Sequence, residues 1–509
     1  MNRGKTLSFA GLLFAACVLT SCSGPKTPCT TNCNQQGTAS VSATMAAVPL
    51  APPPGTNILS FAVTITGISL TPSGGGSAVN LTLPATSITV DLMRLQSDSA
   101  LLGQALATVP AVTYNQITVS VSSVVVTYCT QTSPGTQGCA TGTVAQVSQT
   151  TASTPATSSF SMTLSNNQQV GVQIQFNLSK ALTLSSTPQV ISAVDLTASG
   201  VLTASVLAPT STTSSLATGQ LDFVEDVTGV VTTVSGSTVT VQTATRGSVT
   251  ATANSSTFFS PNCTSSPFNK TADIHCMVAN QIASIDAALN ADGTFTLLDY
   301  DPLDTAASDW IEGVVTLVPT SSTQFQIVAN DLFEPASSSL IGTNLLLGST
   351  VIATLSVSPA ATFGVDEKGL IVPADAGTFI SSNDTSVLRA GQTVAVHVSS
   401  FTAAAGSTAA SATVDFVGLR FTRVTGSVSS VAAPTSVSIA SPSLPPFFGQ
   451  TKIELAELNT ASAPSTAPTN YDGVSDGFGL SVNNTISIRA LYFGPNSLMP
   501  FTCAKVRKH

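Results

Sequence analysis

The chain has 509 residues, of which only 8% are charged, and its formal net charge is −9. This length exceeds what one hydrophobic core normally organises, so we expect several domains. No basic stripe is present and acidic residues outnumber basic ones, which argues against nucleic acid as a partner. Serine, threonine, alanine and valine dominate, and residues of this kind favour strands over helices. The composition therefore predicts an all-β protein.

The first residues follow the pattern of an exported protein. Arg3 and Lys5 precede an apolar run from Leu7 to Leu19, which suits a signal peptide and is too short to span a membrane. Thr20, Ser21 and Cys22 complete the run, and the whole resembles the lipidation signal of bacterial lipoproteins. The resemblance implies a signal peptide over residues 1–21, lipid on Cys22 and a membrane-anchored product. Serine follows the cysteine where inner-membrane retention favours aspartate, so we expect the outer membrane, with a periplasmic or cell-surface orientation.

A tether and a β-domain are expected next. Residues 22–55 are rich in proline, threonine, serine and glutamine, which is typical of a flexible tether. From residue 56 to residue 208 apolar and small residues alternate with a period of two, which predicts about eight strands and most simply a β-sandwich. Leucines between Asp91 and Ala107 predict the one helical piece. Residues 209–220 are a threonine- and serine-rich linker.

The predicted sandwich resembles an uncharacterised family of bacterial lipoprotein β-domains. The resemblance rests on four stretches, namely Val63–Pro72, Val90–Leu92, Val109–Ile117 and Phe176–Lys180. It implies the architecture of the domain and no activity, because the family has no assigned function.

Beyond the linker the sequence repeats itself. A phrase that begins Gly229-Val230-Val231 returns at Gly313-Val314-Val315 and, more loosely, from Gly426, each time followed by a turn and an alternating strand. The unequal spacing indicates tandem domains instead of a tight solenoid. The units resemble a second uncharacterised bacterial family of small β-barrel repeats. We therefore expect a β-sandwich domain followed by about three small β-barrel-like domains, at residues 221–310, 311–418 and 419–509, the last with a basic tail.

The cysteines predict disulfides. Those that would remain after removal of the signal peptide and lipidation fall into neighbouring pairs, which in an exported chain close loops. Zinc is the alternative, but the three histidines are scattered and no CxxC motif occurs. The expected pairs are Cys129–Cys139, Cys263–Cys276 and Cys29–Cys33. Cys503 has no neighbour in the sequence and is either a thiol or paired with another chain.

The densest acidic run extends from Asp299 to Glu312. Its carboxylates admit three interpretations: an acidic linker between two domains, the acid and base of a hydrolase, or a calcium site. Asp299, Asp301 and Asp304 are the weak calcium candidates, and otherwise no metal or cofactor is expected. We favour the linker, because the Asx-rich loop of a calcium site is missing. Trp310, the single tryptophan, is interpreted as a packing residue beside this run.

One further stretch matches the sequence pattern of a catalytic motif but not its structural context. Gly473-Val474-Ser475-Asp476-Gly477 reads G-x-S-x-G, but a nucleophile elbow needs a strand before the serine and a helix after it. A loop precedes this serine and a strand pattern follows, so we predict a hairpin loop.

No nucleophile or acid–base set is assembled by these motifs, so no catalytic residue and no enzyme activity are predicted. We expect a cell-envelope lipoprotein that acts as a non-enzymatic binding or structural module through the loops and edges of its β-domains. Its partners would be the membrane, through the lipid, and a polysaccharide or another envelope protein. A hydrolase that uses the region Asp299–Glu312 and a calcium-rigidified surface stalk are the alternatives.

Overall fold

The computed structural model describes residues 37–50, 53, 55–130, 139, 144–149, 155–185, 190–209, 214–260, 276–320, 322–335, 339–433, 435–440, 444–448, 454–458, 469–495, 497 and 500–509. Strands dominate this part of the chain, so the all-β prediction is confirmed. Its two α-helices are short, α1 (Leu178–Ala181) and α2 (Asp375–Ile380). No helix among these residues is long and apolar enough to cross a membrane.

The N-terminal segment, residues 37–207, forms two main sheets around one apolar core. Its strands are β1 (Thr38–Val48), β2 (Thr56–Pro72), β3 (Val79–Leu81), β4 (Ile88–Asp91), β5 (Ala100–Pro110), β6 (Thr113–Thr130), β7 (Ala145–Ser148), β8 (Ala156–Thr163), β9 (Gln169–Asn177), β10 (Leu182–Leu184), β11 (Ile191–Val194) and β12 (Leu202–Leu207). One sheet has the order β12-β9-β1-β5, and the other is built on the long β2–β6 hairpin. The alternating apolar residues noted in the sequence fill the space between them.

Two predictions for this segment are wrong. The tether predicted for residues 22–55 extends too far, because β1 (Thr38–Val48) is a buried strand between β5 and β9. Its alanines and serines look like linker sequence, yet small side chains fit a strand that is covered on both faces. The helix predicted between Asp91 and Ala107 is instead one 3₁₀ turn, Arg94–Gln96, followed by β5. Leu95 lies in this turn, whereas Leu101, Leu102 and Leu106 lie in the strand and cannot line one helix face.

The remaining described strands show one pairing pattern three times. They are β13 (Gln220–Ser235), β14 (Thr238–Thr243), β15 (Gly247–Thr252), β16 (Phe258–Phe259), β17 (Ile282–Asn290), β18 (Phe295–Asp304), β19 (Trp310–Leu317), β20 (Gln324–Phe333), β21 (Thr350–Leu355), β22 (Thr362–Val365), β23 (Thr393–Thr402), β24 (Ala410–Ala432), β25 (Ser436–Ile439), β26 (Glu454–Leu458), β27 (Asn470–Asp472), β28 (Thr485–Tyr492) and β29 (Phe501–Lys508). In the second segment, residues 220–304, the order β15-β14-β13-β17-β18 returns to β15 through a parallel pair, and β16 adds to β18.

The third segment (residues 310–420) and the fourth (residues 421–508) are paired in the same way. In the third, β21-β20-β19-β23-β24 returns to β21, and β22 lies parallel to β24. In the fourth, the sequence β26-β25-β24-β28-β29 returns to β26, and β27 lies parallel to β29. Each segment encloses its own main apolar cluster.

The repeated Gly-Val-Val phrase has a steric origin. A Cβ at Gly229 would collide with the carbonyl oxygen of Gln242, and one at Gly313 with that of Val328. Both glycines lie in the first strand of their segment and face the strand that follows it, and Gly313 also lies beside a β-bulge. A side chain there would push the hairpin apart, so glycine is required by close backbone approach.

The third and fourth segments share a strand and have no linker between them. β24 pairs with β21 and β23 up to Arg420 and with β28 from Phe421 onward. The boundary at residues 418 and 419 therefore falls inside one continuous strand. The prediction of a basic tail is also wrong, because residues 501–508 form β29, in which Lys505 is completely buried. Together, residues 37–509 form one compact unit.

Candidate functional site: a buried network of charged side chains

Eight of the basic residues that the structure describes are used inside the molecule and not on its surface. Six of them form one continuous set of ion pairs with seven carboxylates, which we call the charged hub. Its members are Arg94, Asp98, Asp226, Arg246, Asp286, Asp299, Glu312, Asp331, Asp366, Lys368, Arg420, Arg423 and Arg489. All four segments contribute to it. Charged side chains are rarely buried unless paired, so the hub accounts for a large part of the charge of a chain that has little.

The N-terminal segment enters the hub through the turn after β4. Asp91 accepts hydrogen bonds from the backbone N–H of Phe61 (2.8 Å) and of Met93 (3.0 Å), which fixes the start of the 3₁₀ turn. This turn aims Arg94 at the third segment, where its guanidinium lies 2.7 Å from Glu312 Oε1 and 3.4 Å from Asp331 Oδ2. Arg94 also pairs with Asp226 of the second segment. A single arginine thus joins three segments.

Two arginines of β24 complete the centre of the hub. Arg420 donates from Nε to Glu312 (2.9 Å) and from Nη2 to Asp226 (3.2 Å), and its Nη1 pairs with Asp366. Arg423 binds Asp98 at 3.1 Å and also pairs with Asp226. They lie three residues apart on either side of the point where β24 passes from the third segment to the fourth. Glu312, which is completely buried, is held between Arg94 and Arg420.

The C-terminal strands supply the remaining cations. Arg489 of β28 binds Asp286 with Nη1 at 3.1 Å and with Nη2. Beside the hub, Lys505 of β29 pairs with Glu225. Arg507 pairs with Asp472 at 2.7 Å and donates to the carbonyl oxygen of Asp98 at 2.7 Å. The strand predicted as a tail therefore fastens the fourth segment to the first two.

The carboxyl groups in and beside the hub fall into two sets, according to whether nearby cations offset the effect of burial on the pKa. Arginines hold the pKa of Asp226 well below its usual range, and Arg489 and Lys368 lower that of Asp286, although burial opposes both effects. Asp299 faces Lys368 at 3.7 Å, yet burial dominates and raises its pKa to about 7. Burial, reinforced by the charge of Asp366, raises the pKa of Asp301 well above its usual range. Asp301 is therefore the carboxyl that we expect to be protonated at neutral pH.

Comparison with known proteins finds one family model that matches part of the chain. Residues 41–192 match a family described as a domain of unknown function, DUF4382. No curated protein matches the chain. The matched DUF4382 region begins inside β1, in agreement with the structure and not with the predicted tether. It contains Asp91, Arg94 and Asp98, so the residues that enter the hub from the N-terminal segment belong to this region.

The acidic run predicted as a linker is not one. Asp299 and Asp301 lie in β18, Glu312 lies in β19, and all three point inward. Asp304 accepts a hydrogen bond from Trp310 Nε1 at 3.2 Å instead of joining them. The structure does not bring Asp299, Asp301 and Asp304 together, and in the described ranges no three acidic, histidine or cysteine side chains are placed to hold a metal ion.

Of the predicted disulfides, one is seen. Cys129, at the end of the DUF4382 region's β6, is bonded to Cys139. Cys276 is buried, but its predicted partner Cys263 lies outside the described residues, as do Cys22, Cys29 and Cys33. Cys503 is completely buried in β29 and donates to the carbonyl oxygen of Lys505. Another chain would reach this sulfur only after β29 had been displaced.

The G-x-S-x-G stretch lies in a loop between β27 and the 3₁₀ turn Gly477–Gly479, as predicted. Asp476 caps that turn by accepting from the N–H groups of Phe478 and Gly479. The described residues after Ser475 contain no α-helix, so the nucleophile elbow geometry is not formed there.

A small cleft opens beside the hub between the second and third segments. Its volume is about 220 Å³, and two charged hub residues, Asp366 and Arg420, lie among apolar ones along its wall. Trp310 is part of the same wall, where it contacts Phe416 edge to face with ring centroids 5.6 Å apart. Larger grooves of about 470 Å³ and 380 Å³ lie between the DUF4382 region and the second segment and beside the C-terminus.

The hub is not predicted from the sequence, although the sequence contains a signal for it. Arginine and lysine interrupt otherwise alternating strands at Arg420, Arg423, Arg489, Lys505 and Arg507. In a chain with 8% charged residues, cations at such positions indicate paired burial. The acidic partners of these cations could not be identified from the sequence, because up to several hundred residues separate the two members of a pair.

Proposed function

We propose that the protein is a cell-envelope lipoprotein that acts as a non-enzymatic binding or structural module. The observation that carries this proposal is the charged hub. Its carboxylates and cations neutralise one another across four segments, which is an arrangement for holding β-domains in a fixed relation and for presenting their loops. The lipidation pattern that ends at Cys22 and the Cys129–Cys139 disulfide support an exported location.

The second, third and fourth segments are, in this proposal, tandem copies of one small β-barrel unit. The recurring Gly-Val-Val phrase and the threefold recurrence of one strand-pairing pattern support the idea. The partner would be a polysaccharide or another envelope protein, and the protein would be anchored in the outer membrane by its lipid.

The lipid anchor is tested by metabolic labelling with an alkyne fatty acid in a bacterial host. We expect label on the wild type, no label on Cys22→Ser, and unchanged label on the matched control Cys17→Ser. Label that persists on Cys22→Ser would contradict the anchor. Protease treatment of intact and lysed cells then separates the two orientations: loss of the fourth segment from intact cells indicates the surface, and protection until lysis indicates the periplasm.

A hydrolase remains the second candidate, favoured by one observation. Asp301 and Asp366 are adjacent buried carboxyl groups, and burial together with the charge of Asp366 raises the pKa of Asp301 well above its usual range. Carboxyl pairs with unequal pKa values can supply an acid and a base. Chromogenic glycosides and esters would be screened with wild type, Asp301→Asn and Asp366→Asn. Turnover that both substitutions abolish would establish this candidate.

A further inference from the structure

One lysine and one glutamate meet in the interior where β29 contacts the second segment. Lys505 lies in β29, and Glu225 lies in β13, 280 residues earlier in the chain. Nζ of Lys505 is in contact with Oε2 of Glu225, and both side chains are almost completely buried. The ring of Phe223 covers Nζ, which lies 4.8 Å from the ring centroid. The amine and the carboxyl group are therefore held together away from water.

A β-bulge in β13 brings the glutamate to this position. The pairing of β13 with β17 shifts register between Val224 and Val227, which leaves two residues opposite one. The two bulged residues are Glu225 and Asp226, and Asp226 has a positive φ of 49°. Asp226 pairs with arginines of the hub. Glu225 pairs with β29 instead, and its Oε2 also accepts the backbone N–H of Ser99 at 3.1 Å.

As an ion pair, these two groups leave polar atoms unsatisfied in the interior. An ammonium group can donate several hydrogen bonds, and that of Lys505 makes one within the described part of the chain. Oε1 of Glu225 is buried and accepts from no donor among the described residues. Unpaired polar atoms in an interior cost free energy, so native structures seldom retain them. An amide between the two side chains would have neither the extra donors nor the unpaired oxygen.

The surroundings favour the neutral forms of both groups. Burial raises the pKa of Glu225 to about 7, although the charge of Lys505 opposes this shift. Passing a proton from the ammonium group to the carboxylate therefore costs less than in water. The products are an amine, which is a nucleophile, and a carboxylic acid, which an amine can attack. Groups that are held in contact also react much faster than the same groups in solution, because folding has already oriented them.

We propose that Lys505 and Glu225 condense to an intramolecular isopeptide bond. Nζ bonds to Cδ of Glu225, and the bond between Cδ and Oε1 breaks. Oε1 leaves as water with two protons that come from the ammonium group. Oε2 remains as the amide oxygen, and the N–H of Ser99 stabilises the negative charge that develops on it during the attack. An ammonium and a carboxylate thus give one neutral amide and one water molecule, without an oxidant or a cofactor.

Residue type and contact distinguish this pair from the other buried ion pairs. The cations at the centre of the hub are arginines, whose delocalised guanidinium group stays charged and supplies no amine. Lys368 is buried as well, but its Nζ lies 3.7 Å from Asp299 and 4.0 Å from Asp286 and makes no hydrogen bond to either. Among the described residues, Lys505 is therefore the one lysine whose amine is in contact with a carboxyl group.

The isopeptide bond closes residues 225–505 into one covalent loop. The loop includes most of the second segment, the whole third segment and most of the fourth. A cross-link restricts the unfolded chain, and its effect on stability grows with the length of the loop. The inference goes beyond the proposed binding or structural role, which requires no covalent link between segments.

Tryptic digestion of the purified full-length protein, under denaturing and reducing conditions, tests the bond directly. Trypsin does not cleave after an acylated lysine, so we expect residues 490–507 joined to residues 181–246, with a combined mass lower by one water molecule. Tandem mass spectrometry should place the link between Lys505 and Glu225. Lys505→Arg keeps the cation but removes the amine, so it should give separate peptides. The matched control Lys180→Arg, at an exposed lysine, should retain the joined pair.

Recovery of residues 490–505 and 181–246 as separate wild-type peptides, with cleavage after Lys505, would overturn the inference. This measurement needs no variant, so it is decisive whether or not Lys505→Arg folds. A joined pair that persists in Lys505→Arg would also overturn it, because the link would then involve other residues. Neither result bears on the lipid anchor, which the labelling of Cys22 tests separately.

Discussion

At the scale of single residues, the stability of the protein is most sensitive to a few buried charged side chains. Glu312 is completely buried between Arg94 (2.7 Å) and Arg420 (2.9 Å). A buried ion pair adds little net stability over an apolar substitute, because desolvation offsets the attraction, but removal of one partner leaves an uncompensated charge. We therefore expect the hub to specify which segments meet more than to stabilise their contact.

We predict that Glu312→Gln lowers the free energy of unfolding by about 3–5 kcal/mol. The cause is that Arg94 and Arg420 lose a shared carboxylate in the interior. Urea unfolding at neutral pH measures the effect. Glu367→Gln is the matched control, because Glu367 is half-buried and belongs to none of the ion pairs of the hub. A loss below about 1 kcal/mol would show that the hub relaxes around the change.

Asp301 makes stability depend on pH. Its folded pKa is raised, so the folded state binds the proton more tightly than the unfolded state, and the stabilisation is present at low pH and is lost as pH rises toward the folded pKa. We expect Asp301→Asn to remove this contribution, which amounts to about 1.4 kcal/mol per pH unit while the group titrates. Urea unfolding from pH 5 to pH 8 should give a flatter profile than wild type. An unchanged profile would contradict the protonation assigned to Asp301.

At the scale of elements, the decisive strand is the first one. β1 lies between β5 and β9, antiparallel to one and parallel to the other, and Met45 is completely buried in the core of the N-terminal segment. The strand is read from the sequence as linker because its residues are small and polar. Only the neighbouring strands, which lie more than 50 residues further along the chain, show that those residues fill a sheet.

We predict that Met45→Ala destabilises the protein by about 2–4 kcal/mol, since it opens a cavity among packed side chains. Thr38→Ala, at the exposed start of the same strand, should change stability by less than about 0.5 kcal/mol. Thermal and urea unfolding of both variants provide the comparison. Equal, small effects would favour a tether over a strand.

At the scale of the whole molecule, the hub and the shared strand β24 couple segments that tandem domains would leave independent. Unfolding of any one segment would strip partners from buried charges in the others, because Arg94, Asp226, Glu312 and Arg423 each come from a different segment. The unit of residues 37–509 should therefore behave cooperatively.

We predict a single calorimetric transition for the purified protein at neutral pH. Its calorimetric and van't Hoff enthalpies should agree, as they do for two-state unfolding. Separate transitions, or a calorimetric enthalpy several times the van't Hoff value, would indicate segments that unfold one by one in spite of the hub.

Composition and periodicity alone determined the all-β class, the alternating strands of the N-terminal segment and the Cys129–Cys139 disulfide. These features depend on neighbouring residues, and a period of two or a ten-residue cysteine spacing is visible in a linear sequence. The recurrence of Gly229 and Gly313 was also visible in the sequence. Its steric reason became clear only from the structure, which shows the carbonyl groups that face these glycines.

The charged hub, the placement of β1 and the role of β29 were decided by tertiary structure. Each depends on partners that are distant in sequence, such as Lys505 with Glu225 and Arg94 with Glu312. A lone lysine or aspartate looks the same in a sequence whether it is solvated or buried, because its environment is created by other parts of the chain. For this protein the sequence determined the all-β class and most of the alternating strands, and the fold determined where its few charges meet.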